Sequence, residues 1–169
     1  VDYLEAYPEQ QHHPKEDRTY KARQGAYIAV DVLETKAMQQ NMVVVSASEI
    51  GKSLTTQGKV AIYGIYFDTG KADIKPDSKP SLDQIAAFLK AEPGVKLHVV
   101  GHTDSVGGFD SNLALSRRRA EAVAAALVKD YGVAAGRLVG NGVASLAPVA
   151  SNASEEGRAK NRRVELVLQ

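Results

Sequence analysis

The stretch of sequence that decides the fold is residues 96–132, KLHVVGHTDSVGGFDSNLALSRRRAEAVAAALVKDYG. Lys96 to Val100 predicts a strand that ends at a glycine-rich turn. From Leu113 to Tyr131 apolar side chains recur at helical spacing, and Gly132 follows, which predicts a helix that stops there. A strand, a turn and an amphipathic helix in this order are typical of a sheet covered by helices.

Further strand and helix signals lie on both sides of this stretch. Val60 to Phe67 predicts an earlier strand. Ser78 and Pro80 open a helix, whose predicted buried stripe is Leu82, Ile85, Ala86 and Leu89. The segment Arg137 to Val139 predicts the start of another strand or a bend, and Val164 to Leu168 predicts a last strand. We therefore predict an α+β fold for residues 59–169: a two-layer α/β sandwich with a mixed sheet, βαβαβ-β order and helices packed on one face.

Residues 1–58 read differently. Residues 1–23 are polar and aperiodic, and two strands are predicted, at Tyr27–Glu34 and Met42–Val45. A short helix is predicted over Ala47–Gln57, with Ser46 or Ser48 as N-cap and Gly58 after its end. We expect this arm and its strands to be the tail of an incomplete upstream domain, separated from the second domain after Gly58.

Composition removes several function classes. The 169 residues contain 21 Lys and Arg against 20 Asp and Glu, a net charge of +1 that argues against nucleic-acid binding driven by bulk charge. The absence of cysteine excludes disulfides, zinc ribbons and Cys nucleophiles. No apolar run approaches the ~18 residues of a transmembrane helix.

The candidate site follows from the turn and the helix behind it. Asp104 lies in the glycine-rich turn, and Arg117, Arg118 and Arg119 follow in the helix. On a helical wheel Arg119 borders the apolar stripe beside Val123, so an acid and a guanidinium can flank one pocket. We place the arginines in the first turns of the helix, where the macrodipole disfavours cations, which hints at an anionic ligand. The alternative is that Asp104 caps a turn and the arginines are solvated.

These residues carry a family resemblance. The chain from Lys59 to Gln169 resembles the OmpA-like peptidoglycan-binding domain, whose pattern is roughly G-[HY]-T-D-x-x-G-x(4)-N-x-x-L-S-x-x-R-A. The matching residues are Gly101-His102-Thr103-Asp104, Gly107, Asn112, Leu115-Ser116 and Arg119-Ala120, with Ile65-Tyr66-Phe67-Asp68 and Ile74 upstream and Gly140, Gly142 and Asn161-Arg162-Arg163-Val164-Glu165 downstream.

The resemblance implies non-covalent binding of peptidoglycan through the diaminopimelate residue of the stem peptide, in the periplasm at the outer membrane of a Gram-negative bacterium, with no catalysis, cofactor or metal. It implies that Asp104 takes the ligand ammonium and that Arg119 takes a carboxylate. It further implies that Asn112 and Thr103 shape the pocket, that Leu115 lines it and that Arg162 approaches it. The outer membrane would be reached through a segment outside this chain, such as a lipoprotein anchor.

Rival interpretations have less support. His98, His102 and Asp104 could share one face of a strand as metal ligands, but residues four apart on a strand are about 13 Å apart. Gly140-Asn141-Gly142 lacks the third glycine of a dinucleotide-binding loop. An envelope interaction module that binds an acidic partner or lipid through its arginines, without a cell-wall ligand, stays open.

Overall fold

The computed structural model describes residues 20–21, 27–28 and 44–169. A short antiparallel pair in the N-terminal unit, residues 1–40, joins Tyr20 to Ile28 and Lys21 to Tyr27. In chain order the elements are β1 (Tyr20–Lys21), β2 (Tyr27–Ile28), α1 (Ala47–Gln57), β3 (Lys59–Ile62), α2 (Lys79–Ala91), β4 (Leu97–Gly101), α3 (Phe109–Tyr131), β5 (Leu138–Gly142), α4 (Glu155–Asn161) and β6 (Val164–Leu168), with 3-10 turns at Pro76–Ser78 and Ala135–Arg137.

The ends of α1 follow the predicted signals. The Ser46 side chain accepts a hydrogen bond from the Glu49 amide, and the Glu49 carboxylate accepts one from the Ser46 amide, so Ser46 is the N-cap of a capping box. Gly58 ends the helix in the left-handed conformation at φ 73°. Ile50 and Leu54 are the buried residues of α1.

Helix α2 confirms the predicted stripe, since Leu82, Ile85, Ala86 and Leu89 are all buried. Helix α3 buries Ala120, Val123 and Leu127, and Gly132 stops it at φ 71°. Each fully buried Leu, Ile or Val side chain contributes about 1.5–3 kcal/mol, so these stripes hold the helices on the sheet.

Four strands form a mixed sheet in the order β3-β6-β4-β5. Strand β6 runs antiparallel to both β3 and β4, whereas β5 runs parallel to β4 after the α3 crossover. Val60, Leu166 and Val99 lie in one row across the sheet, and all three are buried in the core with residues of α1, α2 and α3. The predicted sandwich with a mixed sheet is therefore confirmed.

Two predicted strands are wrong in the structure, and a third is largely untested. The strand predicted over Val60–Phe67 ends at Ile62, because Ile62 pairs with Val164, the first residue of β6, and the ladder has no partner beyond it. Val44 and Val45, the described part of the strand predicted at Met42–Val45, lie outside any strand, as the N-cap of α1 follows directly. Most of the strand predicted over Tyr27–Glu34 lies outside the described residues.

The helix predicted from Leu113 begins at Phe109, with Gly108 as its N-cap. Arg117 therefore lies in the third turn of α3. The macrodipole acts within the first turn, so the expected penalty on the three arginines does not apply, and it gives no hint of an anionic ligand.

The second compact unit comprises residues Asn41–Gln169, and helix α1 packs within it against α2 and β3. The predicted domain boundary after Gly58 would leave α1 outside the second domain, whereas this compact unit includes α1. That residues 1–58 end an upstream domain stays a prediction.

Candidate functional site

The turn after β4 is held by two hydrogen bonds of Thr103. The Thr103 amide donates to the Ala144 carbonyl at 3.0 Å, and the Thr103 hydroxyl donates to the Asp104 carbonyl at 2.9 Å. Thr103 is buried, so these bonds exchange little with water. They orient the backbone that presents Asp104.

Asp104 accepts a hydrogen bond on each carboxylate oxygen. The Val106 amide donates to Oδ1 at 3.0 Å, and Arg162 Nη1 donates to Oδ2 at 2.7 Å. The Asp104 side chain is only 13 % exposed, and that of Arg162 is 41 % exposed. Because each carboxylate oxygen has two acceptor positions, Asp104 retains capacity for a further donor.

Asn112, in the first turn of α3, closes the same turn. Its Nδ2 donates to the Val106 carbonyl at 2.8 Å. Gly107 lies between these partners with φ 91°, a left-handed conformation that glycine adopts without strain. Leu115 is half-buried, one turn further along the helix.

Arg119 is anchored by a loop from the other side of the site. Its Nε donates to the Lys71 carbonyl at 2.9 Å and its Nη2 to the Asp68 carbonyl at 3.1 Å. The guanidinium carbon lies 4.9 Å from the centroid of the Phe67 ring, a cation–π contact. A guanidinium has five N–H groups, so within the described part of the chain three remain for a ligand.

Arg119 is the inward arginine of its cluster. Arg119 is half-buried, whereas Arg117 and Arg118 are exposed, as the helical wheel predicts. Arg117 pairs with Glu121 at 2.9 Å. The three arginines therefore do not form one solvated patch.

The charges of the site influence one another. Burial lowers the pKa of Arg119, the charge of Asp104 acts to raise it and that of Arg162 to lower it. Among the described residues Asp104 pairs with Arg162 and not with Arg119. One carboxylate thus lies near two guanidinium groups, a pattern suited to a ligand with both charges.

A buried polar cluster lies directly behind the turn. His102 is 4 % exposed, and neither ring nitrogen has a hydrogen-bond partner in the described structure. Its Nε2 is 3.6 Å from Glu165 Oε2, beyond hydrogen-bond distance. Burial, with the charge of Arg163, lowers the pKa of His102 to about 4, so the ring is neutral at neutral pH.

Glu165, the neighbour of His102, is satisfied by cations. Arg163 donates to its Oε1 from Nε at 2.9 Å and from Nη2 at 2.7 Å, and Lys59 lies 3.4 Å from Oε2. Burial alone would raise the pKa of Glu165, but the hydrogen bonds and charge of Arg163 lower it. The pair of Arg163 and Glu165 lies at the start of β6, and Lys59 connects it to β3.

The predicted site residues lie on α3 and in the turn between β4 and α3, and Arg162 reaches Asp104 from the chain just before β6. Two contributors were missed by sequence reasoning. Glu155, on α4, holds Arg162 at 2.6 Å, and no local signal links it to Asp104. Phe67 lies inside the matched upstream motif, so that motif was the available signal for it.

The residues of the alternative metal site do not come together in the described structure. In residues 44–169 no three His, Asp or Glu side chains form a group that could hold a metal ion. The His98 ring hydrogen-bonds Asn141 Nδ2 at 3.1 Å, and Asp104 pairs with Arg162. Among the described helices, none combines the length and the apolar character needed to span a membrane.

Comparison with known proteins gives a consistent result. The model of the OmpA family matches residues 66–162, more than half of the chain. A relative from Escherichia coli K12 named "Probable lipoprotein YiaD" is 41 % identical over 70 % of this chain and 55 % of its own length. The "Peptidoglycan-binding protein ArfA" of Mycobacterium bovis is 42 % identical over 62 % of this chain and 32 % of its own.

Among solved structures, the peptidoglycan-associated lipoprotein from Burkholderia pseudomallei is similar with a TM-score of 0.56 and 35 % identity, over 62 % of this chain and 88 % of that one. The chain spans about half the length of the first curated relative and about a third of the second.

Proposed function

The chain belongs to the OmpA family, and from that premise we propose that it binds peptidoglycan without catalysis and anchors an envelope component to the cell wall. The names of its relatives support this role, since one is called peptidoglycan-binding and another peptidoglycan-associated. The role belongs in the periplasm, at the outer membrane. The outer-membrane attachment itself would come from a segment outside this chain.

We propose the diaminopimelate residue of the stem peptide as the ligand. Its free end carries an ammonium and a carboxylate on one carbon. Asp104 takes the ammonium and Arg119 takes the carboxylate through its remaining N–H groups, since a guanidinium and a carboxylate match in charge and in geometry. Asn112, Thr103 and Leu115 shape and line the pocket, and Arg162 belongs to it through its contact with Asp104.

The observation that carries this proposal is the opposed anchoring of two complementary charges. Asp104 is held by Val106 and Arg162, and Arg119 is held by carbonyls of a separate loop at Asp68 and Lys71. Neither charge neutralises the other directly. Binding of a zwitterion therefore leaves the main-chain contacts that hold Asp104 and Arg119 in place, which preserves binding free energy.

The test is binding to purified diaminopimelate-type sacculi, competed by free diaminopimelate. Asp104→Ala and Arg119→Ala each remove one charge-assisted contact worth about 1.5–3 kcal/mol, which lowers affinity roughly 10- to 150-fold. Circular dichroism checks that the fold is kept. If either variant binds sacculi with wild-type affinity, the assignment of Asp104 and Arg119 as ligand-binding residues is wrong.

The ligand's chemistry gives a second test. We expect diaminopimelate-type stems to bind best, stems amidated at that carboxylate less well, and lysine-type stems, which lack it, least. A surface that binds acidic partners or lipid through its arginines predicts little discrimination and a steep salt dependence. Calorimetry with the three stem types at two salt concentrations separates the two functions.

A further inference from the structure

A line of alternating charges leads away from Asp104 into α4. Arg162 Nη1 donates to Asp104 Oδ2 at 2.7 Å, and its Nη2 donates to Glu155 Oε1 at 2.6 Å. Arg158 Nε donates to Glu155 Oε2 at 2.9 Å. Arg162 is therefore shared between two carboxylates, of which one belongs to the proposed ligand site.

Arg162 stands where a ligand cation would act. Arg162 already donates to one oxygen, Oδ2, of the Asp104 carboxylate that takes the ligand ammonium in the proposed function. Val106 already donates to the other oxygen. An incoming ammonium must therefore share Asp104 with Arg162 or displace it.

We propose that Glu155 is a positioning residue of this site: by holding Arg162, it allows Asp104 to exchange the guanidinium for a ligand ammonium. This inference rests on the proposed function. When Arg162 leaves Asp104, Glu155 keeps its guanidinium paired. Without Glu155, displacement would leave a cation unpaired beside the ammonium, and Arg162 would compete with the ligand more strongly.

The charge state of Glu155 is consistent with this role. Its hydrogen bonds from Arg162 and then Arg158 hold its pKa below the ordinary value, so the carboxylate is ionised at neutral pH. Arg158 is anchored in turn, since its Nη1 donates to the Asn152 carbonyl at 3.0 Å. Arg158 thus holds Glu155 in place, so that Glu155 does not itself move toward Asp104.

The chain supplies a matched control on the same helix. Glu156 is the next residue in the first turn of α4 and carries the same charge, and its pKa is lowered mainly by a main-chain hydrogen bond. Glu155→Gln and Glu156→Gln therefore each remove one negative charge from the same helix terminus. Only the first removes the partner of Arg162.

The experiment is calorimetric titration of free diaminopimelate into the full chain and its variants at moderate salt. We expect Glu155→Gln to weaken binding about two- to fivefold, the range of exposed ion pairs. The control Glu156→Gln should bind like wild type. Both variants should have the same thermal unfolding midpoint. Arg162→Gln removes the competitor and should bind more tightly. In that background, Glu155→Gln should have no further effect.

The outcomes separate the two proposals. If wild type does not bind diaminopimelate, the proposed function and this inference both fall. If wild type binds, the inference alone falls in any of four cases: Glu155→Gln does not weaken binding, Glu156→Gln weakens it equally, the loss persists without Arg162, or Arg162→Gln itself weakens binding.

Discussion

Acid should destabilise this domain through His102. The ring is buried and neutral, and its pKa is lowered from 6.5 to about 4 by burial and by the charge of Arg163. In the unfolded chain the same histidine binds a proton near its ordinary pKa. Between these two pH values the unfolded state binds more protons than the folded state. The free energy of unfolding is therefore highest above pH 6.5 and decreases as the pH falls toward 4.

The size of this effect follows from the two pKa values. The gap between 6.5 and about 4 corresponds to about 3 kcal/mol when the titration is complete. At pH 5 most of the unfolded histidine is protonated, whereas the folded one is not. We therefore expect a loss of about 2 kcal/mol between pH 7.5 and pH 5. Glu165, whose pKa is also lowered, adds to the loss at more acidic pH.

The assay is urea unfolding at pH 7.5, 6, 5 and 4, followed by circular dichroism. His102→Gln removes the titrating ring and should flatten the fall between pH 7.5 and 5, whatever its stability at neutral pH. Val99→Ala, a buried change on β4 that keeps the histidine, is the control and should retain the wild-type fall. The reasoning fails if His102→Gln loses stability in parallel with wild type, or if wild type is equally stable at pH 7.5 and 5.

Two further predictions concern the elements around the site. Arg117→Ala and Arg118→Ala should each change sacculus affinity less than twofold in a pull-down titration, because both side chains are exposed; a loss from Arg118→Ala as large as that from Arg119→Ala would contradict the assignment. Gly142→Ala should cost about 1–3 kcal/mol in urea unfolding, because an added Cβ would meet the backbone of Arg117 and push α3 from β5. Gly136→Ala, where a Cβ meets nothing within 4 Å, is its control, and equal stability of the two variants would refute the packing argument.

Local chemistry let the sequence predict much of the architecture. The stripe of α2, the glycine stops at Gly58 and Gly132, and the bounds of β6 all came out as expected, because spacing and left-handed glycines act within a few residues. Helix α4 was missed, because its buried residues are Gly157 and Asn161, which give no apolar stripe.

The sequence by itself determined where Asp104 and Arg119 stand in the chain and that Arg119 faces inward, since both depend on motif order and on the helical wheel. Only the tertiary structure decided which charge pairs with which. Asp104 meets Arg162 across 58 residues of chain, and Arg119 is held by the Lys71 carbonyl across 48. Such contacts depend on how β6, α3 and the loop after β3 come together in the folded chain, which no local pattern encodes.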